Sequence, residues 1–261
     1  MNTASTFSPA RVAPNLSHVW GGIWRLTVRR FLLPGHWLTL GLGLAVLTLL
    51  LIGGGHSGSP ARFLDWTVGF YITFLVPALS FVAAGGAMRD EMKSGNVDYV
   101  LTRPVPRPAF VVFKFIAHTI GVQIDFLFAF GVVTFFAVSR HVPDLGWVTI
   151  KLLFGQMLLI TAFSALGFLC GVISSRYVVI GLAYAGIIEA GVGQIPTQLS
   201  RLSMTHQVRD LLTFLLGGSA PVTSVPSLIS TTSLVALFGV IFVAAAAAIF
   251  SLCELSGPAD S

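Results

Sequence analysis

Two carboxylates stand inside apolar runs of this sequence, Asp125 in GVQIDFLFAF and Glu189 in YAGIIEAGVG. An unpaired carboxylate in hydrocarbon costs at least about 2.5 kcal/mol even on lenient insertion scales. Each must therefore face protein, water or a partner group, or else carry a proton. Two chemistries suit such residues: a relay for protons or ions on a translocation path, and a hydrogen bond between packed helices. For Glu189, in the outer half of its run, a surface position is a third. Gln123 lies two residues from Asp125, so on a helix it projects elsewhere and is not its natural partner.

Other catalytic constellations are missing from the sequence. The histidines (His18, His36, His56, His118, His141 and His206) are scattered, with no i,i+4 pair and no accompanying cysteine, so a metal site is not expected. No GxxxxGK[ST] loop occurs to cradle nucleotide phosphates. Ser164, Ser174 and Ser175 have no neighbouring histidine to activate them. Cys170 and Cys253 fall near the ends of apolar runs, outside any CxxC, and read as packing residues. Catalysis by this chain alone is not expected, nor is a cofactor.

The elements that must position the two acids follow from composition. Of 261 residues, 55% are hydrophobic and 10% charged, with a mean hydropathy of +0.87. A soluble domain carries about 25% charged residues, so this chain cannot cover a water-facing surface. An all-α polytopic membrane protein is expected, because the apolar runs are too long for barrel strands. The formal charge of +5 does not point to nucleic acid, since the basic residues flank apolar spans, where they set topology.

Six spans are predicted within one transmembrane domain covering 1–261: Trp37–Ile52, Trp66–Ala87, Phe110–Val138, Trp147–Ile173, Val178–Gly193 and Thr231–Leu252. Lys and Arg sort ten to five across them, with Arg11, Arg25, Arg29, Arg30, Arg89, Lys93, Arg103, Arg107, Lys114 and Arg176 on one side. The positive-inside rule then puts both termini in the cytoplasm, as in a multi-pass protein of the cell's inner membrane. GGGHSGSPA resembles a signal-peptide cleavage site, but the n-region before it would be about 36 residues, far beyond the usual length. A retained first span is expected.

Residues 1–14 read as a flexible lead. Over 15–35, Leu16, Trp20, Ile23 and Phe31 share one helical face and His18, Arg25 and Arg29 another, until Pro34-Gly35 breaks the helix. That pattern predicts an amphipathic helix in the inner interface. The outer segment 194–230 contains RLSMTHQVRDLLTFLLGG, helical in pattern but too polar at its start to span, and predicts one or two short outer-face helices. Gly167 and Gly171 in the fourth span, and Gly181, Ala185 and Glu189 in the fifth, recur at spacing four, where backbones can approach. Their partner, within the chain or in a second copy, is not readable.

The densest polar stretch is MRDEMKSGNVDYVLTRPVPRPAFVVFK, from Met88 to Lys114, with five basic and three acidic residues. It predicts a short helix with Asp90 and Glu91 near its N-terminus, where acids complement the dipole. Gly95 interrupts it and Arg103-Pro104 ends it, because a residue before proline disfavours the α region. Pro104, Pro106 and Pro108 then return the chain to the third span. A plain positive-inside loop would explain the basic residues, but not the mixed signs or the proline spacing.

In this stretch Glu91-x3-Gly95-x2-Asp98-x2-Leu101-x2-Pro104-x2-Arg107-x6-Lys114 resembles the signature of ABC-2 type membrane subunits of ATP-binding-cassette exporters. Asn96-Val97 replaces the common Gly-Thr-Leu continuation, Asp98 stands where Glu is usual, and Phe113 replaces the Gly before Lys114. The six-span order, the interfacial helix and the long outer segment extend the resemblance over most of the chain.

The resemblance implies that 88–109 is a cytoplasmic coupling loop docking a separate ABC ATPase, which holds the ATP and Mg. Glu91, Lys93, Gly95 and Asp98 would be its coupling residues, flanked by Arg103 and Arg107. A second permease subunit, in a homodimer, is implied as well. The Phe, Leu, Val and Ala of the spans suit a hydrophobic or amphipathic cargo. Two other readings stay open: an ion-coupled transporter or channel using Asp125 and Glu189, and a non-transporting membrane assembly factor.

Overall fold

The computed structural model describes residues 16–54, 59–92, 106–194, 198–217 and 227–252. These are almost wholly helical, with no strand among them, as lipid requires of a chain that must satisfy its backbone internally. The helices are α1 (Leu16–Phe31), α2 (Pro34–Gly54), α3 (Pro60–Glu91), α4 (Arg107–Ser139), α5 (Leu145–Ile173), α6 (Tyr177–Tyr184), α7 (Met204–Leu215) and α8 (Leu228–Leu252). Among the described residues five of them, α2, α3, α4, α5 and α8, are long and apolar enough to cross a bilayer. The chain is a multi-pass membrane protein.

The predicted fifth run, Val178–Gly193, takes a shorter form. After α6 it widens into π-type turns over Ala185–Gly191 and tightens again at Val192–Gln194. Glycines at 181, 186, 191 and 193 weaken the regular helix there.

Helix α3 also carries wide turns, over Thr67–Leu75, immediately before Pro77. Proline has no N–H and its ring crowds the carbonyl four residues back; a wide turn relieves that conflict without ending the helix. Helix α4 has 33 residues and so extends about 50 Å at 1.5 Å per residue. That exceeds a hydrocarbon core of about 30 Å, so α4 projects beyond it.

Helix α5 is the core. Its Gly167 faces Phe81 and Gly85 of α3 so closely that an added Cβ would lie 2.5 Å from the Phe81 carbonyl oxygen, and one on Gly171 would lie 2.6 Å from that of Gly85. The predicted small-residue face therefore packs within the chain. A buried polar clamp crosses the same bundle: the Tyr71 hydroxyl donates to Gln156 Oε1 at 2.8 Å, and Gln156 Nε2 donates to the Phe126 carbonyl at 3.2 Å. Gln123 also reaches α5, donating to the Met157 carbonyl at 3.0 Å and turned away from Asp125 as its spacing predicts.

Helix α1 lies along α4. Of its predicted apolar face, Trp20 meets Phe113 edge-on at 5.4 Å and Ile23 is buried, while Leu16 remains exposed. Within the outer segment, α7 buries Met204, Val208, Leu211 and Leu212. Lys151 donates to the Leu215 carbonyl at 2.7 Å and so caps the C-terminus of α7. Cys170 is buried, consistent with a packing role; Cys253 lies outside the described residues.

Candidate functional site

Nothing breaks the helix between Ala87 and Glu91, and α3 runs on without interruption to Glu91. This corrects the expectation that Asp90 and Glu91 open a separate helix. They occupy the last turn of α3, where a carboxylate meets the negative end of the dipole. Two cations offset that conflict. Lys114 Nζ donates to Glu91 Oε1 at 2.7 Å, and Arg30 donates to Asp90.

The Lys114 side chain is only 7% exposed, whereas Arg30 and Asp90 are open to solvent. The exposed pair is worth about 0–1 kcal/mol. Removing one partner of a buried pair costs about 3–5 kcal/mol, because the other charge is stranded. Glu91 and Lys114 are the first acid and the last base of the polar signature, so the structure closes the signature on itself. Arg107, the first residue of α4, donates to the Ser251 carbonyl at 3.3 Å near the end of α8. Both roots of the predicted coupling loop are thus tied to the helical bundle. Lys93, Gly95, Asp98 and Arg103 lie outside the described residues.

From Lys114 a stripe continues along α4. Lys114, His118, Gly121 and Asp125 are spaced four, three and four residues apart, which places them on one helical face. The Phe31 ring sits against Gly121 so closely that an added Cβ would lie 2.3 Å from Phe31 Cε2, and the ring would have to move to admit it. The same ring lies 5.7 Å from that of His118 and meets His36 edge-on at 5.0 Å. His36 Nε2, in the first turn of α2, is 3.1 Å from Asp125 Oδ1. Asp125 is therefore served by the N-terminal end of the first crossing helix and stays about one-fifth exposed.

His118 is buried between Phe31 and Phe168, and neither ring nitrogen has a hydrogen-bond partner among the described residues. Such an unsatisfied polar group costs about 1–3 kcal/mol.

Glu189 is arranged differently. Its carboxylate accepts from the Tyr184 hydroxyl at 3.1 Å, from the backbone N–H groups of Met204 and Thr205 at 3.2 Å each, and from the Ser203 and Thr205 hydroxyls. Ser203 is the N-cap of α7 and also accepts from the His206 N–H at 3.0 Å. Glu189 thereby neutralises the positive end of α7 and holds it to the turn after α6.

An apolar groove of about 700 Å³ runs between α4, α5 and α8, lined by residues such as Phe115, Phe154, Met157, Val235, Gly239 and Val243. It lies apart from both acids. No group of three or more metal-ligating side chains occurs among the described residues.

Sequence reasoning missed Lys114 as the partner of Glu91, His36 as the partner of Asp125, and Gly85 and Gly121 as close-approach sites. The spacing along α4 was the available signal for the stripe. The partners could not be named, because 89 residues separate His36 from Asp125.

No curated protein matches the sequence. A family model described as ABC-2 family transporter protein matches residues 32–188, more than half of the chain. That range contains α2 to α5, the Glu91–Lys114 pair and the whole α4 stripe. The chain belongs to the ABC-2 transporter family.

Proposed function

We propose that this chain is the transmembrane permease subunit of an ABC exporter, moving a hydrophobic or amphipathic substrate outward. ATP and Mg are held by a separate cytoplasmic ATPase, and none by this chain. The α6 segment completes a sixth crossing, both termini face the cytoplasm of a cell with this chain in its inner membrane, and two copies pair around the path. The loop from 88 to 109 docks into the ATPase. Lys93, Gly95 and Asp98 make the contact, Arg103 and Arg107 flank it, and Glu91 holds its root.

The observation that carries this reading is the pair of buried Lys114 with half-buried Glu91, beside the Arg107 anchor. A loop built only to be positive needs neither tie. A segment that must deliver force needs fixed ends, since motion of a loose loop would dissipate in the loop itself. The groove between α4, α5 and α8 supports an apolar cargo or lipid contact. An ion relay through both acids is disfavoured by Glu189, whose oxygens are committed to five donors.

Affinity purification of the full chain from native membranes tests the reading. An ABC ATPase should co-purify, and in proteoliposomes its ATP turnover should depend on the permease. Glu91→Gln should lower that dependence several-fold per folded permease, and should also lower permease stability because the Lys114 charge loses its partner. Purification of the chain with no ATPase, or full coupling in Glu91→Gln, would contradict it.

A further inference from the structure

Gly239 of α8 is a glycine that packing does not explain. It is buried, as Gly167 and Gly171 are, but those two meet the backbone of α3, whereas a Cβ added to Gly239 would touch nothing within 4 Å. The space it leaves is the floor of the groove between α4, α5 and α8. Glycine weakens a helix interior, so α8 gives up helix propensity at the point where the groove is open.

Shape and chemistry restrict what can fill this slot. Along α8 it runs from Val235 to Ala244, about 14 Å at 1.5 Å per residue, so its volume of about 700 Å³ corresponds to a mean width of about 8 Å. A helix with its side chains is about 10–12 Å across, too wide to seat fully in the slot. Among the described residues Thr161 is the only polar side chain lining it. The Thr161 hydroxyl already donates to the Met157 carbonyl at 2.9 Å and accepts from Gln123 at 3.3 Å. The lining therefore offers a polar ligand no charge and no free side-chain donor.

Toward the cytoplasm α4 and α8 close on each other, through the stacked rings of Phe110 and Phe250 and the Arg107 bond to Ser251. The mouth of the slot is lateral, between the exposed side chains of Met157 and Val240. Its two ends lie about 10 and 12 Å from the ends of α8. A ligand with its polar group at the membrane surface needs about that length of hydrocarbon before it reaches the slot. A long alkyl chain has it, and a compact amphipath does not.

We propose that the slot is a binding site for the alkyl chain of a bilayer lipid, retained where lipid on the open faces of the protein exchanges. This requires only that the helices cross a bilayer, and it stands whether or not an ATPase is the partner. Inside the slot a chain meets side chains of three helices at once. Each added contact contributes dispersion attraction, the force that remains where lipid and protein are equally apolar.

The full chain in vesicles of phosphatidylcholine that carries a diazirine near the methyl end of one acyl chain provides the test. After extraction in mild detergent and washing to remove free lipid, illumination should give adducts at Met157 and Val240. Adducts at Leu38, exposed on α2, should be several-fold fewer. Gly239→Leu, which fills the floor, should lower the slot adducts several-fold, and so should Ala236→Phe on the exposed rim, which leaves the buried floor untouched. Adducts spread evenly over exposed faces, none after washing, or slot adducts unchanged in both variants would overturn the site. Disulfide-linked pairs of a Gly239→Cys chain, with Cys170 and Cys253 replaced by alanine, would put a second copy there and overturn it as well. None of these readings needs the ATPase, so a failure here leaves the permease reading standing.

Discussion

Asp125 and Glu189 look alike in sequence, each a lone acid in an apolar run, yet the fold gives them opposite surroundings. Glu189 has five donors, two of them backbone N–H groups at the start of α7. Asp125 has the single imidazole of His36 and remains partly exposed. A carboxylate saturated with donors is a structural bolt, since moving it strands every donor at once. A carboxylate with one titratable partner at a helix elbow can exchange that partner at small cost. The environment, more than the residue type, assigns the role of a membrane acid.

The largest effect that separates the two sites should come from Glu189→Ala. Losing a charged acceptor shared by this many donors should cost about 3 kcal/mol, read as a lower unfolding temperature in lipid nanodiscs. Glu189→Gln keeps one acceptor oxygen and should lose about half as much. If Glu189→Ala were neutral in stability and abolished transport, the contrast would be reversed.

The next effect concerns the other end of α7. Lys151→Met removes the donor to the Leu215 carbonyl and should cost about 1 kcal/mol. Thr205→Val, which deletes one hydroxyl donor to Glu189 and keeps the backbone N–H, should cost a similar amount. Combined with Glu189→Ala, Thr205→Val should add almost nothing, because neighbouring members of one network are not additive. Full additivity would show that the threonine acts independently of the acid.

Asp125→Asn should have the smallest effect on stability, under about 1 kcal/mol, because an amide oxygen still accepts from His36. A double-mutant cycle with His36→Asn should give a coupling of about 0.5 kcal/mol in unfolding. A coupling as large as that of the Glu189 network would make Asp125 a second bolt.

Much of this architecture was legible in the sequence, and the failures have physical causes. The apolar runs fixed where helices lie, and Pro34-Gly35 marked the elbow. Gly167 and Gly171 announced a close contact, whose partner at Gly85 only the fold supplies. The polar shift at Met88 suggests a helix boundary, yet α3 continues through it to Glu91. Polarity changes where a helix leaves lipid, whereas the backbone ladder ends only where a residue breaks it, and none does before Glu91. The ion pair across 23 residues and the hydrogen bond across 89 are invisible to any local pattern.

The proposed docking of the 88–109 loop to a cytoplasmic ATPase makes a direct prediction about which residues touch that partner. Site-specific photo-crosslinking tests it directly, with a photoreactive residue replacing Lys93 or Asp98 in the arm, and Leu202, exposed beside α7, as the control at the opposite end. Adducts with an ABC ATPase are expected from 93 and 98 and none from 202. Equal adducts from all three positions, or none from the arm in a preparation where the ATPase is bound, would contradict it.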